Sequence, residues 1–438
     1  MRVAVIGAGA SGLCVARHLT VNSNFSYVVY EQTGNVGGTW VYTEATGSDD
    51  YGLPVASAMY KNLRTNLPTK TMEFPDYPFH NKNSFAAGRE VLQYLEDYSN
   101  HYELQNYIKF FHHVKQVKPK DGKWELLIVD LPNNREFIDQ CDAVAVCIGH
   151  YSVPRVGAFP GLESFQGIVQ HSHSYRTPER FTNKTVLVCG GGPSGVDISF
   201  DLAKFASKVY FSHREVKKGV YPDNVEEVPV VKEVLSDHVV FQDGAASGRI
   251  DAILICTGYN YSFPFLSPEC GITVVDGRYV EPLYNHLINI NHPTMAFIGI
   301  PFRTFIFPMF HQQVKFFLKS LSGTFQLPSR DEMMAELEEY VRKKQDRGIP
   351  LKFYHEIHDE VRTYIQRLES MASLEPLSPI YFNIFYATTE LRKKYLDCYR
   401  EANFEVVDDF YFKISGVPVD KEELISNKYH IRPVSSNL

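Results

Sequence analysis

RVAVIGAGASGLCVARHLT, residues 2–20, has the pattern of an apolar strand, a glycine-rich turn and a helix. In such a unit Gly7 allows a tight turn, and Gly9 lets the backbone approach a pyrophosphate. Gly12 permits close packing of the helix on the strand. The second apolar strand, SYVVYE, ends in Glu31, whose carboxylate can accept hydrogen bonds from ribose hydroxyls. The stretch therefore predicts a dinucleotide-binding βαβ unit.

The same pattern returns at residues 185–214, TVLVCGGGPSGVDISFDLAKFASKVYFSHR. Arg214 follows the first glycine of this copy, Gly190, by the 24 positions that separate Gly7 from Glu31, so we expect an identical register. A guanidinium suits a 2′-phosphate rather than a free hydroxyl. The second unit is therefore predicted to prefer NADPH to NADH, with Ser212 as a second phosphate ligand. Pro193 removes one N–H from the loop that would face the phosphates.

FQGIVQHSHSY, residues 165–175, lies between the two glycine motifs. Through Phe165, Gly167, His171 and Tyr175 it resembles the FxGxxxHxxx(Y/F) signature of the flavin-containing monooxygenases. The related Baeyer–Villiger enzymes carry Trp-Pro or Trp-Asp at the end of this string. This chain has Tyr175-Arg176, which favours the branch that oxygenates nitrogen and sulfur.

This resemblance covers most of residues 1–320 and implies an α/β fold with two Rossmann-like dinucleotide-binding domains. The NADPH domain would be inserted into the FAD domain, and helices would follow at the C-terminus. The implied boundaries are residues 1–168 for the first part of the FAD domain and 169–281 for the inserted NADPH domain. Residues 282–438 would hold the second part of the FAD domain and a helical, aromatic extension.

The resemblance also assigns site residues. Asn66, in a Thr-Asn-x-Pro context, would face the reactive edge of the flavin and contact the nicotinamide; the alternative is a turn asparagine before Pro68. GNVGGTW, residues 34–40, is similar to the loop that covers the flavin. The FAD set is Gly7, Gly9, Ala10, Ser11, Gly12, Glu31, Gly38, Thr39, Trp40, Thr65, Val114 and Gln312. The NADP set is Tyr175, Gly190, Gly192, Pro193, Ser194, Gly195, Ser212, Arg214 and Thr257.

The chemistry that the resemblance implies belongs to the cofactors FAD and NADPH. NADPH would reduce FAD, oxygen would add as a flavin 4a-hydroperoxide, and a soft amine nitrogen or sulfide sulfur would take the distal oxygen. No proton must leave a tertiary amine, so His171 is interpreted as structural. Two alternatives stay open: a Baeyer–Villiger monooxygenase, and an NADPH oxidase or redox sensor without organic substrate. The compact length resembles the insect branch of the family, some of whose members N-oxidise pyrrolizidine alkaloids such as senecionine.

Composition narrows the remaining possibilities. The net charge of −7 gives no field that would attract nucleic acid. Seven cysteines without a CxxC spacing argue against a disulfide framework, a structural zinc or a redox-active cysteine pair. No apolar run reaches the roughly 18 residues of a membrane span, and the chain ends in the polar HIRPVSSNL rather than a hydrophobic anchor. We expect a soluble, cytoplasmic protein, or a secreted one if a signal peptide preceded Met1; homo-oligomer formation is left open.

The remaining elements follow from periodicity. IKFFHHV, residues 108–114, is predicted as one strand, and a helix is expected to start near Pro308. Residues 331–347 and 355–371 are predicted as two amphipathic packing helices. The aromatic-rich tail from Tyr381 to Phe412 is expected to help roof the active site.

Overall fold

The structure is a computed structural model that describes residues 1–214 and 221–417. The polar C-terminal run at 430–438, on which the expectation of no anchor partly rests, lies outside these residues. The helices are α1 (Ala10–Thr20), α2 (Gly88–His101), α3 (Pro193–Leu202), α4 (Ile306–Leu321), α5 (Arg330–Asp346), α6 (Val361–Ala372) and α7 (Pro379–Lys394). The strands are β1 (Arg2–Ile6), β2 (Ser26–Tyr30), β3 (Ile108–Lys109), β4 (His112–Lys120), β5 (Lys123–Asp130), β6 (Arg135–Cys141), β7 (Ala143–Val146), β8 (Val153–Pro154), β9 (Ile168–His171), β10 (Thr185–Cys189), β11 (Lys208–Ser212), β12 (Val225–Val228), β13 (Val231–Val234), β14 (Val239–Phe241), β15 (Ala252–Ile255), β16 (Tyr259–Asn260), β17 (Thr273–Val275), β18 (Tyr279–Glu281), β19 (Leu283–Tyr284), β20 (Ile288–Asn289), β21 (Met295–Phe297), β22 (Asn403–Val406) and β23 (Phe412–Ser415).

The first large sheet has seven strands in the order β19-β20-β21-β7-β1-β2-β3. Strand β1 lies inside it, parallel to both β2 and β7. Its residues Val3, Ala4 and Val5 have no exposed surface, as expected of a parallel strand covered on both faces. Because the strands come from residues 2–146 and from 283–297, the chain leaves this sheet and later returns to it.

The second large sheet has five parallel strands in the order β12-β11-β10-β15-β9. All of its residues fall between 168 and 228 or between 252 and 255, inside the excursion from the first sheet. The fold is therefore α/β with two dinucleotide-binding sheets, as the sequence predicts.

The C-terminal helices pack on the first sheet's side of the molecule. The predicted apolar face of α6 is confirmed, since Val361, Ile365 and Leu368 are fully buried. The helix itself begins later than predicted, at Val361, after a 3-10 turn at His358–Glu360. In α5 the predicted stripe is weaker, because Met333 is buried while Met334, Leu337 and Val341 are only partly covered.

Two local features differ from the sequence-based expectations. The predicted strand at 108–114 is broken into β3 and β4 at Phe111, whose φ of 57° cannot continue a strand. The aromatic tail contains a full helix, α7, and the antiparallel hairpin β22-β23. All seven cysteines are free, and six of them are buried packing residues. Within residues 1–214 and 221–417, every helix is too short or too polar to cross a bilayer.

Candidate active site

The first glycine turn joins β1 to α1 with little space to spare. Gly7 has a φ of +99°, and its N–H donates to the carbonyl of Tyr30 at the end of β2, at 2.8 Å. A Cβ added at Gly12 would lie 1.9 Å from the Gly7 carbonyl oxygen, so only glycine lets α1 start this close to the strand. The first turn of α1, Ala10-Ser11-Gly12-Leu13, brings no carboxylate of its own. Its free N–H groups and positive dipole end therefore fit the pyrophosphate of a dinucleotide.

Glu31 is fixed in this turn by three donors. One carboxylate oxygen accepts from the N–H of Ala8 at 2.7 Å, and the other from the N–H and the hydroxyl of Thr33, both at 2.8 Å. Burial raises the pKa of Glu31, and the hydrogen bonds from Ala8 and Thr33 oppose that shift. Each oxygen keeps lone pairs for further acceptance, as a ribose diol requires. Val114, buried in β4, follows shortly after His112, whose N–H donates to the Glu31 carbonyl.

The loop at residues 37–40 covers this turn. The Gly37 N–H donates to the Ala8 carbonyl at 3.0 Å, and a Cβ added at Gly9 would lie 3.5 Å from Cα of Gly38. Trp40 is half-buried and packs against the main hydrophobic core, whereas Gly38 and Thr39 are exposed. The loop thus lies directly against the glycine turn at the N-terminus of α1.

The second glycine turn repeats the first. The Gly190 N–H donates to the Ser212 carbonyl at 2.8 Å, and a Cβ at Gly195 would lie 1.7 Å from the Gly190 oxygen. Pro193 is the first residue of α3, where its missing N–H would have had no partner within the helix, and Ser194 follows it half-buried. A Cβ added at Gly192 would meet no described atom within 4 Å. This turn is open where the first is covered.

The identical register predicted for Glu31 and Arg214 is wrong by one residue. Glu31 comes directly after β2, whereas Arg214 lies two residues after β11, because α3 is one residue shorter than α1. His213 takes the place of Glu31: a Cβ at Gly191 would lie 2.9 Å from its Cβ, and its Nε2 lies 2.7 Å from Oε1 of Glu227. Arg214 is exposed at the rim, one step beyond.

Three predicted NADP contacts have hydroxyls that already donate within the protein. The Ser212 hydroxyl donates to the Pro229 carbonyl at 2.8 Å, and the Thr257 hydroxyl to the Arg155 carbonyl. The hydroxyl of Tyr175, which is fully buried, donates to Asp201 of α3 at 2.8 Å. Each of these hydroxyls already donates its hydrogen to a protein acceptor and cannot also donate it to a phosphate. A contact of these residues with NADP would therefore have to use backbone atoms or the hydroxyl oxygen as an acceptor.

The signature string is a structural junction. Phe165 is buried, and a Cβ at Gly167 would lie 2.5 Å from the Asp251 carbonyl. Nδ1 of His171 accepts from the His173 N–H at 3.0 Å, and Nε2 lies 3.1 Å from the Gly258 carbonyl. Burial lowers the pKa of His171 to about 4, so the ring is neutral near pH 7. These contacts support its interpretation as a structural residue.

Arg176, singled out above only as part of the Tyr175-Arg176 pair, also connects two parts of the chain. Arg176 is 7% exposed. Its guanidinium donates to carbonyls of both the signature string and the loop at 43–57. The acceptors are Thr43, Ala45, Ser57, His173 and Tyr175. A planar fork with five donors is the side chain suited to this task.

Asn66 lies half-buried in the segment between the two sheets. The Thr65 N–H donates to the Ala86 carbonyl at 2.8 Å, and the Thr65 carbonyl accepts from Arg400 at 2.9 Å. The buried Thr65 hydroxyl finds no hydrogen-bond partner among the described residues. Gln312 is fully buried in α4, and its amide nitrogen donates to Glu369 and to the Glu375 carbonyl. Only its Oε1, which has no partner in the described part of the chain, is left for a ligand.

A group of cations that includes Arg214 was also not predicted from the sequence. Burial lowers the pKa of Lys352, and the charges of Arg214, Arg155 and Arg303 lower it further, so all three arginines act on this lysine. Nη1 of Arg155 is buried and unpaired within the described ranges. They come from distant parts of the sequence, so no local pattern announces them. Arg303 also pairs with Glu356 at 2.9 Å, and the remaining net positive charge of the group suits a phosphate monoester.

One set of side chains has metal-ligand chemistry. His18 Nε2 lies 3.1 Å from His311 Nδ1, which lies 4.0 Å from Asp76. Arg17 approaches the same carboxylate at 3.3 Å; burial lowers the pKa of both histidines, and the charges of Arg17 and Lys315 lower it further. This positive surrounding disfavours a divalent cation, and we assign no metal there.

Comparisons with known proteins agree with this arrangement. Residues 1–227 and 219–396 match the family model described as flavin-binding monooxygenase-like. The chain is 33% identical over 420 residues to senecionine N-oxygenase from Tyria jacobaeae, covering 94% of this chain and 91% of that protein. It is 38% identical over 382 residues to the flavin-containing monooxygenase FMO GS-OX4 from Arabidopsis thaliana, covering 81% of each.

Among solved structures, S-allyl-L-cysteine S-oxygenase from Allium sativum superposes with a TM-score of 0.86 at 34% identity. The match covers 91% of this chain and 94% of that one. Enzymes of this kind use FAD and NADPH, which fit the two glycine turns described above. The chain therefore belongs to the flavin-binding monooxygenase-like family and is a flavin-containing monooxygenase.

Proposed function

We propose that this enzyme uses NADPH and oxygen to N-oxygenate tertiary amines, with pyrrolizidine-type alkaloids as the substrate class. The observation that carries the proposal is the 33% identity to an alkaloid N-oxygenase over 94% of the chain. The Tyr175-Arg176 pair supports it, because Arg176 joins the signature to the loop at 43–57 in a way that Pro or Asp could not.

The protein's own residues bind and orient. When bound, FAD would supply the oxygen-transferring chemistry, and the N-terminus of α1 and Glu31 would hold its pyrophosphate and ribose. The N-terminus of α3 would hold the pyrophosphate of NADPH. Arg214, with Arg155, Arg303 and Lys352 nearby, would attract its 2′-phosphate. We also propose the domain division at residues 168 and 281, since the second sheet uses only strands from between these limits.

Asn66 is proposed to hydrogen-bond at the reactive edge, where both cofactors would meet. An amide offers a donor and an acceptor without a proton to titrate, which suits transfer of oxygen to a neutral amine. His171 is neutral and committed to His173 and Gly258, so it takes no proton from substrate. Water exclusion, rather than acid or base catalysis, is the remaining task of the protein.

A sulfide-oxygenating function is the second candidate, favoured by 34% identity to an S-oxygenase at a TM-score of 0.86. A substrate panel separates the possibilities. The purified enzyme would be given NADPH with senecionine, a dialkyl sulfide or a cyclic ketone, and products would be identified by mass spectrometry. Preferential N-oxide formation supports the proposal. Preferential sulfoxide formation supports the second candidate, ester formation indicates a Baeyer–Villiger enzyme, and peroxide alone indicates an oxidase.

A further inference from the structure

The C-terminal tail inserts an arginine between the two proposed cofactor sites. Arg400 lies just before β22, and its Nη2 donates to both carboxylate oxygens of Asp197 in α3, at 2.9 and 2.7 Å. Its Nε donates at 2.9 Å to the carbonyl of Thr65, the residue before Asn66. The side chains of Arg400 and Asp197 are only 17% and 14% exposed. One guanidinium thus joins the Asn66 segment to the helix of the second sheet.

Further hydrogen bonds connect residues 60–64, the C-terminal tail and α3 at the same place. Arg64 reciprocates by donating to the Arg400 carbonyl at 2.9 Å and to Glu401 at 2.7 Å. The Tyr60 hydroxyl donates to Asp197 at 3.1 Å. The Asn62 amide donates to Asp201 at 3.0 Å. The second oxygen of Asp201 accepts from Tyr175 of the signature string, so three separate parts of the chain meet on one face of α3.

We propose that Arg400 is a positioning residue that fixes the Asn66 segment against α3 and so sets the distance between the nicotinamide and the flavin edge. This inference rests on the proposed roles of Asn66 and α3. The chemistry supports it, because Nη2 of the rigid guanidinium holds both carboxylate oxygens of Asp197 while Nε of the same plane donates to the Thr65 carbonyl. An ammonium at this position is a point charge and cannot keep all three directions at once.

Three variants test the assignment: Arg400→Gln, Arg400→Lys and, as a matched control, Lys413→Gln. Lys413 is a cation of the same C-terminal segment, but it is exposed and pairs only loosely with Glu405, at 3.5 Å. Each variant would be measured for NADP⁺ affinity by calorimetry, for peroxide released per NADPH oxidised, and for hydrogen exchange at residues 60–66.

We expect Arg400→Gln to weaken NADP⁺ binding about tenfold, the size expected for one charge-assisted hydrogen bond, and to raise the peroxide fraction. Exchange at 60–66 should accelerate. Arg400→Lys should keep the melting temperature near that of the unmodified enzyme yet still release more peroxide. Lys413→Gln should match the unmodified enzyme throughout.

A purely structural role would give a different pattern. If Arg400→Gln lowers the melting temperature but leaves NADP⁺ affinity and the peroxide fraction unchanged, positioning is wrong. The positioning role would also be overturned if Arg400→Lys and the unmodified enzyme released the same amount of peroxide per NADPH oxidised. Affinity and exchange are measured without substrate, so a failure here is distinct from an error about amines or sulfides. If the unmodified enzyme binds no NADP⁺, the proposed function and the positioning role both fail.

Discussion

The two glycine turns are built alike and finished differently. In both, a glycine nitrogen lies 2.8 Å from the carbonyl oxygen at the end of the next strand. In both, the helix packs so closely on the turn that only a glycine fits, at Gly12 and at Gly195. The first is covered by the loop at 37–40 and ends in a buried, three-times hydrogen-bonded Glu31. The second has an open Gly192 and an exposed Arg214. From this difference we predict a tightly held cofactor in the first turn and an exchanging one in the second.

The largest effect is expected from filling the close contacts. Gly12→Ala would put a Cβ 1.9 Å from the Gly7 oxygen, and the helix would have to move off the strand. We expect the enzyme to lose bound flavin, or to fail to fold, as measured by the flavin-to-protein absorbance ratio. Gly195→Ala, at 1.7 Å from Gly190, should retain flavin but lose NADP⁺ binding.

Gly47→Ala is the control for this pair, because no described atom lies within 4 Å of the added Cβ. It should leave both cofactors bound. If Gly195→Ala also loses its flavin while remaining folded, the two turns are not independent sites, and the comparison between them breaks down.

A fall in pH should destabilise the part of the protein that contains the first glycine turn before the sheet that contains the second. Burial lowers the pKa of His150 to about 4 and those of His286 and His311 to about 3, and all three lie outside the second sheet. In the second sheet, burial lowers the pKa of one such ring, His171, to about 4. The unfolded chain takes up these protons near pH 6.5 while the folded chain does not, so stability is lost as pH falls below about 6.5. Each such histidine contributes a slope of about 1.4 kcal/mol per pH unit between the two pKa values.

Melting temperature and flavin fluorescence, followed from pH 7.5 to pH 5, measure this effect. We expect a falling melting temperature and flavin release before the second sheet unfolds. His311→Gln should flatten the curve, because it removes one titrating group. A melting temperature that is flat down to pH 5 would contradict the burial of these rings.

A smaller, more selective effect is expected at the rim of the second turn. Arg214→Gln removes a charge-assisted contact worth about 1.5–3 kcal/mol, so KM for NADPH should rise about 10- to 100-fold. KM for NADH should stay nearly unchanged. Lys204→Gln, which removes an exposed cation of the same region, is the control. Equal losses with both cofactors would show that Arg214 does not read the 2′-phosphate.

The sequence predicted what depends on local pattern. Both turns and the buried face of α6 follow from glycine spacing and periodicity, and the excursion of the chain to a second sheet was implied by the family resemblance. It could not show that the hydroxyls of Ser212, Thr257 and Tyr175 donate inside the protein, because their acceptors are distant in sequence or on another element. The one-residue shift that puts His213 opposite Glu31 depends on the length of α3, which spacing alone does not reveal.

Side-chain hydrogen bonds between residues far apart in the sequence could not be predicted either. Arg176 gathers carbonyls from residues 43–57, and Arg400 joins Thr65 to Asp197 across more than two hundred residues. No periodic or motif signal marks an arginine for such a task. Helix α7 was missed because its aromatic composition obscured the helical pattern.

The most direct test of the central claim is to follow one oxygen atom. The enzyme would be supplied with NADPH, a tertiary-amine alkaloid and ¹⁸O₂, and NADPH oxidation, N-oxide and peroxide would be quantified together. Oxygenation consumes NADPH, a proton and O₂ with the amine and yields NADP⁺, water and the N-oxide. We therefore predict one ¹⁸O in the N-oxide for each NADPH oxidised, with little peroxide. Peroxide equal to the NADPH consumed, with or without amine, would contradict the account.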